Sequence, residues 1–192
     1  MLAALRKCKA EGVKTALCGN LGGIRLAKEA GLQVCGDYAL NLLHSRAVQE
    51  AARLGCEEVT LSFECAHELA REMVSPVPMG IVAYGHLPLM TFRNCPGKGQ
   101  GGCGECRGIA HITDRRGEDF PLQCRARQYS QLLNGQPLML SDRLAEWQFC
   151  DFLTLRFTTE SPAECERILR MYQNGEAPHG RYTRGLYYRT LK

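Results

Sequence analysis

The chain has 192 residues, of which 45% are hydrophobic and 23% are charged, and its formal net charge is +4. This length suffices for one hydrophobic core, or for one domain with an attached subdomain, and the composition is ordinary for a soluble globular protein. Because no run of about 18 apolar residues occurs, the sequence argues against a membrane-spanning segment.

The positive charge is concentrated in the second part of the chain. Residues 1–92 contain equal numbers of acidic and basic residues, so the whole excess lies in residues 93–192. The last 13 residues, 180–192, contain four basic residues and three tyrosines but no acidic residue. This part could contact an anionic partner such as RNA, although +4 is far below the charge of a dedicated nucleic-acid binder.

Eleven cysteines are a large number for a chain of this length. The first 12 residues become charged too early for a secretory signal, so we expect a cytoplasmic protein with reduced thiols rather than a disulfide scaffold. Some thiols would then be buried as small apolar groups and others would bind metal. The cysteines expected in or near the core are Cys8, Cys18, Cys35, Cys56, Cys150 and Cys165.

The first 92 residues predict four strand–helix units. Strands are predicted at 15–18, 32–35, 58–61 and 79–83, with helices between them at 21–30, 45–54 and 62–73. Ser45 is the expected cap of the second helix. Short apolar strands that alternate with helices of about ten residues indicate βαβ units and a parallel sheet. Because a further helix is predicted before the first strand, we favour the second half of a TIM-like (β/α)8 barrel over a small open α/β sheet.

The chain changes character after residue 92, where we place a domain boundary between 1–92 and 93–192. Residues 93–108 contain six glycines and one proline, so they cannot form a regular element. The remainder predicts a small α+β subdomain. Its expected strands are 111–113, 119–123 and 152–157, and its expected helices are 127–133, 142–149 and 161–172.

Four cysteines of this second part form a candidate metal site. Cys95, Cys103 and Cys106 lie in the glycine-rich segment, and Cys124 follows one predicted hairpin later. Two thiolates in a CxxC spacing can bind one metal, and glycines let the backbone pass close to it. The spacing does not distinguish zinc from an iron–sulfur cluster. A redox dithiol and a chance grouping in a cysteine-rich chain are the other readings.

A second set of candidate residues consists of polar side chains at or shortly after the ends of the predicted strands: Asn20, Asp37, Asn41, Glu64 and His86. In parallel α/β folds, side chains at the carboxyl ends of strands line the catalytic site. The alternative is that Asp37, Asn41 and Ser62 only cap helices. His86 could be a general acid or base, a ligand, or a structural loop histidine.

Motifs along nearly the whole chain occur in the order seen in one known family. They are CGNLG at 18–22, GDYALN at 36–41, TLSFE at 60–64, YGHLPLM at 84–90, NCP at 94–96, CGEC at 103–106, DRRG at 114–117, FPLQC at 120–124 and TRGLY at 183–187. In these motifs the chain resembles the peptidase U32 family, whose members are often described as collagenase-like proteases.

The resemblance implies a TIM-like barrel whose missing N-terminal half would be a partner of this chain. It also implies a [4Fe–4S] cluster bound by four cysteines, of which Cys103 and Cys106 match the family's pair and Cys95 the cysteine upstream. We choose Cys124 as the fourth ligand, with Cys165 in reserve. Relatives hydroxylate RNA bases or a ubiquinone precursor without oxygen, with prephenate associated with the reaction.

Of these activities, the motifs are most similar to the branch that hydroxylates ribosomal RNA. A prephenate-like small molecule and RNA are therefore the expected partners. The alternatives are a peptidase that acts on protein substrates and a zinc-bound fragment without catalytic activity.

Overall fold

The structure is a computed structural model that describes residues 1–99 and 108–189. It is a mixed α/β protein whose chain divides into two compact units. The first unit comprises Met1–Ala83, Arg143–Leu155 and Arg184–Lys192, and the second comprises Tyr84–Asp142 and Arg156–Thr183. These limits are those of compact units, and the domain boundary between residues 92 and 93 stays a prediction.

The regular elements are numbered in chain order. The helices are α1 (Leu2–Ala10), α2 (Leu21–Glu29), α3 (Ser45–Leu54), α4 (His67–Arg71) and α5 (Pro162–Asn174). The strands are β1 (Thr15–Cys18), β2 (Gln33–Gly36), β3 (Cys56–Thr60), β4 (Met79–Gly85), β5 (Pro88–Phe92), β6 (Ile109–Thr113), β7 (Asp119–Arg125), β8 (Tyr129–Leu133), β9 (Leu138–Met139) and β10 (Phe152–Leu155). Short 3₁₀ turns cover Tyr38–Leu40, Pro96–Gly99 and Leu144–Trp147.

The first unit contains the predicted parallel sheet. Its strands lie in the order β1-β2-β3-β4-β10, and β1 to β4 pair in parallel. The Asp151 N–H donates to the Met79 carbonyl at 2.8 Å, and the Arg156 N–H donates to the Tyr84 carbonyl at 2.9 Å. In both bonds the donor residue follows the acceptor residue by the same number of positions in the sequence. β10 therefore runs parallel to β4 as a fifth strand.

A parallel sheet with helices is therefore confirmed. Among the described strands, β1 and β10 stand at the two ends of the path rather than beside each other, and the half of a TIM-like barrel stays a prediction.

One face of this sheet is covered by helices. On α2, Ile24 and Ala27 are buried, and Gly23 lies so close to Cys18 of β1 that an added Cβ would stand 3.7 Å from the Cys18 sulfur. Right-handed connections between strands in chain order bring all the helices to the same face.

The opposite face is partly exposed. Leu17 of β1 is 65% exposed and pairs with Cys35, which pairs in turn with Glu58. Parallel sheets normally bury both faces, and β4 is buried along its whole length, so this face is uncovered among the described residues only towards β1.

Helix boundaries follow local chemistry. α3 ends at Gly55, whose φ of 108° is a left-handed conformation that suits glycine. The prediction that Ser45 caps α3 is wrong. His44 caps α3 instead, because its Nδ1 accepts the Ala47 N–H at 3.1 Å, while the Ser45 hydroxyl accepts the Val74 N–H.

The second unit contains an antiparallel sheet in the order β5-β8-β7-β6. The helix predicted at 127–133 is wrong, because residues 129–133 form β8, which pairs with β5 on one side and β7 on the other. Pairing on both sides and burial of Leu133 outweigh the local helical preference of this segment. The helices predicted at 62–73 and 142–149 are only the short α4 and the 3₁₀ turn Leu144–Trp147.

The predicted helix at 161–172 is present as α5. Its first turn has a capping box in which the Ser161 hydroxyl accepts the Glu164 N–H and the Glu164 carboxylate accepts the Ser161 N–H. Among the described residues, no helix combines the length and the apolar character needed to cross a membrane.

We predict that Gly80→Ala destabilises the first unit. An added Cβ on Gly80 of β4 would overlap the ring and the carbonyl oxygen of Phe152 on β10. Overpacking of this kind lowers the free energy of unfolding by about 1–3 kcal/mol, measured by urea denaturation. The control is Gly23→Ala, where the added Cβ meets only ordinary contacts in a helix, so stability should stay equal or rise by up to about 1 kcal/mol. Equal stability of both variants would contradict the close packing of β4 and β10.

Candidate metal centre

Two cysteines of the predicted ligand set line one cavity in the second unit. The cavity has a volume of about 660 Å³, and Cys95 and Cys124 both contribute to its wall. The other two, Cys103 and Cys106, lie outside the described residues. Within residues 1–99 and 108–189, no three histidine, cysteine, aspartate or glutamate side chains come together as a metal site.

Strand pairing determines the position of Cys124. It lies on β7, which pairs with both β6 and β8, and it stands opposite Ser130 of β8. Its N–H donates to the carbonyl of Gly108 at 2.7 Å. Gly108 follows Cys106 by two residues in the sequence, so the chain that leaves the CxxC pair is bound directly to Cys124.

Cys95 begins a tight turn. Its carbonyl accepts the N–H of Lys98 at 3.2 Å, and Gly97 lies between them. An added Cβ on Gly97 would stand 3.6 Å from the Cys95 sulfur and 3.3 Å from side-chain carbons of Ala110 and Leu122. The Cys95 thiol therefore lies close to β6 and β7, and glycine permits this approach.

The described wall of the cavity is positively charged. It includes Arg93, Lys98 and Arg127 but no acidic side chain among the described lining residues. Cations at this place suit an anionic occupant, such as a metal cluster bound by thiolates or a phosphate group. The excess of basic residues after residue 92 was the one sequence signal for this arrangement.

Most other described cysteines are poor candidates for metal binding. Burial raises the pKa of Cys18, Cys56 and Cys65. Burial, together with a hydrogen bond to Glu58, raises the pKa of Cys35 to about 12. Burial, together with the negative charge of Asp151, raises the pKa of Cys150 to about 12 as well. These thiols are protonated at neutral pH.

Two cysteines differ from this group. Cys8 is exposed on α1, so its predicted place in or near the core is wrong. Cys165, the reserve ligand, is half-buried on α5 and is not among the described residues that line the cavity of Cys95 and Cys124.

The strand-end candidates of the first unit take part in local turns. The side chain of Asn20 accepts the Gly23 N–H at 2.8 Å and caps α2. Asp37 accepts the Tyr38 N–H at 2.8 Å and begins a 3₁₀ turn. Both residues follow neighbouring parallel strands, so they lie at the same edge of the sheet.

The next two candidates follow the same edge. Asn41 has a left-handed φ of 55° and accepts the Ser62 hydroxyl at 2.7 Å. Glu64 is exposed, and its N–H donates to the Ser62 hydroxyl at 3.2 Å. The capping alternative therefore fits Asp37, whereas Asn41 accepts the Ser62 hydroxyl instead. Asn20 also caps a helix, and Glu64 is exposed.

His86 belongs to the second unit, whereas the other four strand-end candidates belong to the first. Its Nδ1 lies 2.6 Å from the Asn134 carbonyl oxygen, so this nitrogen carries the proton and donates. His86 lines a smaller cavity of about 250 Å³, together with Glu160 and Arg167.

Glu160 in this smaller cavity is an ionised carboxylate. Burial opposes its ionisation, but N–H groups of Thr158 and Thr159 and the Tyr84 hydroxyl donate to it and lower its pKa. Burial first, and then the bond to Glu160, raises the pKa of Tyr84. The carboxylate that lines this cavity together with His86 is therefore already hydrogen-bonded to three donors.

The C-terminal TRGLY motif has a structural role in the first unit. Tyr187 is 1% exposed, and its hydroxyl donates to the Val82 carbonyl at 2.8 Å. Its ring packs against Trp147 with a centroid distance of 4.9 Å. This tyrosine of the basic tail is thus part of the core.

Comparison with known proteins found no matching family model, no matching curated protein and no matching solved structure. The resemblance to the peptidase U32 family stays a prediction that depends on the motifs of the sequence.

We predict that alkylation distinguishes exposed from buried thiols. A thiol with a pKa of about 12 has roughly one thiolate in ten thousand at pH 8, and only the thiolate reacts with iodoacetamide. In the native protein, Cys35 and Cys150 should react at least about tenfold more slowly than the exposed Cys8, as measured by peptide mass spectrometry. Equal rates for the three thiols would contradict the burial described above. Denatured protein, in which all three should react alike, is the control.

Proposed function

We propose that this chain is a U32-type iron–sulfur protein that takes part in oxygen-independent hydroxylation of an RNA base, of the ribosomal RNA type. The observation that supports the proposal is that Cys95 and Cys124 line the same cavity although they are 29 residues apart in the sequence. The proposed ligands of a [4Fe–4S] cluster are these two residues together with Cys103 and Cys106.

The described residues on either side of the CxxC pair support its inclusion. Gly108 follows Cys106 by two residues in the sequence. Gly108 is hydrogen-bonded to Cys124, and Lys98, five residues before Cys103, is hydrogen-bonded to Cys95. Both ends of the segment with the pair are thus attached to the described ligands.

The residues present fit an anionic cluster. Two thiols line a cavity of about 660 Å³, and three cationic side chains line its wall. When bound, a [4Fe–4S] cluster supplies one-electron transfer. The protein itself supplies the thiols of Cys95 and Cys124, a close backbone approach at Gly97, and positive charge around the site. Zinc is the alternative metal.

The sheet of the first unit supports the proposal of a half barrel. Its strands follow chain order, and on the face with Leu17, Cys35 and Glu58 the β1 side is exposed among the described residues, with Leu17 65% exposed. We propose that the N-terminal half of a TIM-like barrel covers this face. We propose that the strand-end side chains at the sheet edge, among them Asp37 and Glu64, orient the small oxygen donor or the substrate.

The peptidase alternative gains no support from the side chains. Among the described residues, no cysteine is hydrogen-bonded to a histidine, as a thiol protease would require. The buried thiols have raised pKa values, which disfavour a nucleophilic role.

We predict that protein expressed and purified without oxygen is brown and contains about four iron atoms per chain. Cys95→Ser, Cys124→Ser and the double variant Cys103→Ser/Cys106→Ser should each lose most of the iron and the visible absorption, because each removes a cluster ligand. The matched control is Cys165→Ser, which removes a half-buried thiol of the same unit and should keep the iron.

Two results would contradict the proposal. A colourless protein with one zinc per chain would show that the site holds zinc instead of a cluster. Iron that is retained in Cys124→Ser and lost in Cys165→Ser would make Cys165 the fourth ligand.

The reaction is tested in a host that lacks its own U32 proteins. With the N-terminal half supplied, its ribosomal RNA should contain a nucleoside one oxygen heavier, absent with Cys95→Ser.

A further inference from the structure

The rim of the cavity carries three cationic side chains and one aromatic side chain whose part in substrate binding the cluster proposal leaves open: Arg93, Lys98, Arg127 and Tyr129. All four are exposed. Among the described residues, none of them has a side-chain hydrogen bond, a salt bridge or a ring contact. Several other arginines are paired, for example Arg53 with Glu50 and Arg181 with Glu118. The rim therefore offers free cations and a free aromatic ring at one place.

The backbone beneath this rim is strained. β7 and β8 are joined by a turn in which the Gln128 N–H donates to the Arg125 carbonyl at 3.0 Å. Its two central residues, Ala126 and Arg127, have φ values of 52° and 60°. Glycine and asparagine adopt this conformation easily, whereas alanine and arginine do not. The turn thus holds Arg127 at the rim in a conformation that costs stability, as is common at functional sites.

We propose that Arg93, Lys98, Arg127 and Tyr129 form a binding surface for single-stranded RNA beside the cluster site. This inference rests on the proposed function and names the residues that contact its substrate. Cationic side chains that follow a phosphate backbone, together with an aromatic ring on which a base stacks, are the usual components of single-strand recognition. The three cations bind phosphates, and the Tyr129 ring stacks on an unpaired base.

The surface favours a single strand over a duplex. A duplex hides the faces of its bases, so an aromatic ring cannot stack on them, whereas unpaired bases of loops and ends are accessible. A base that is to be modified must also leave its stack. Tyr129, 40% exposed at the edge of the cavity with Cys95 and Cys124, is placed to receive such a base.

The test is the binding of a fluorescently labelled single-stranded oligoribonucleotide to the anaerobically purified holoprotein, followed by anisotropy at several salt concentrations. Arg127→Gln should weaken binding and lower the slope of log K against log salt by about 0.7, because one phosphate contact is lost. The matched control is Arg115→Gln, which removes an exposed charge of the same unit in the turn between β6 and β7, away from the cavity, and should leave the slope unchanged.

Two further variants separate binding from folding. Tyr129→Ala should weaken binding by about tenfold with an unchanged salt slope, while Tyr129→Phe keeps the ring and should bind like the wild type. Arg127→Gly relieves the left-handed strain, so it should unfold at an equal or higher temperature and still bind RNA more weakly. Equal losses from Arg127→Gln and Arg115→Gln would overturn the surface, because binding would then reflect net charge alone.

Iron content, measured on the same samples, distinguishes the two proposals. Holoprotein with iron but without affinity for RNA overturns this surface and leaves the iron–sulfur proposal standing. Protein without iron whose RNA affinity falls in Arg127→Gln overturns the iron–sulfur proposal and supports the surface. A third outcome is that the rim variants bind RNA normally but are reduced more slowly by an acidic electron-transfer protein. The rim would then be the binding surface for that protein instead of RNA.

Discussion

The order of the parallel strands constrains the whole first unit. Each of β1 to β4 pairs with its neighbour in the chain, and β10 adds to β4, so right-handed connections bring the helices to one face. The carboxyl ends of the strands then share one edge, where Asn20 and Asp37 lie, and the other face keeps Leu17 exposed. Parallel sheets normally bury both faces, whereas here the face of Leu17 is uncovered among the described residues towards β1 and buried at β4. This is the physical reason to propose a half barrel.

The sequence predicted this unit well because local signals and burial agree there. Apolar strand runs, helix caps and terminal glycines such as Gly55 place most elements within a few residues. The prediction failed at 127–133, where nothing local indicates a strand. The left-handed turn at Ala126 and Arg127 uses neither glycine nor asparagine, and β8 exists because β5 and β7 pair with it from two sides. Contacts with residues distant in the sequence therefore determine that residues 129–133 form a strand.

The candidate site was predictable in its ligand types but not in its surroundings. Cysteine spacing pointed to Cys95 and Cys124, and a glycine between apolar neighbours explains how the turn at Cys95 comes close to β7. Arg93 and Lys98 come from one segment and Arg127 from a distant one, so in the sequence only a weak excess of positive charge indicated that they lie together. His86 was grouped with the strand-end residues because sequence cannot show that the chain enters another compact unit after Ala83.

The central claim is that Cys95 and Cys124 hold one polynuclear iron site together. X-ray absorption at the iron and zinc edges of anaerobically purified protein tests it most directly. The account predicts iron with sulfur neighbours in the first shell and a second iron at short distance, with both signals lost in Cys124→Ser. Zinc coordinated by sulfur with no metal neighbour, or an iron signal that survives in Cys124→Ser, would contradict it.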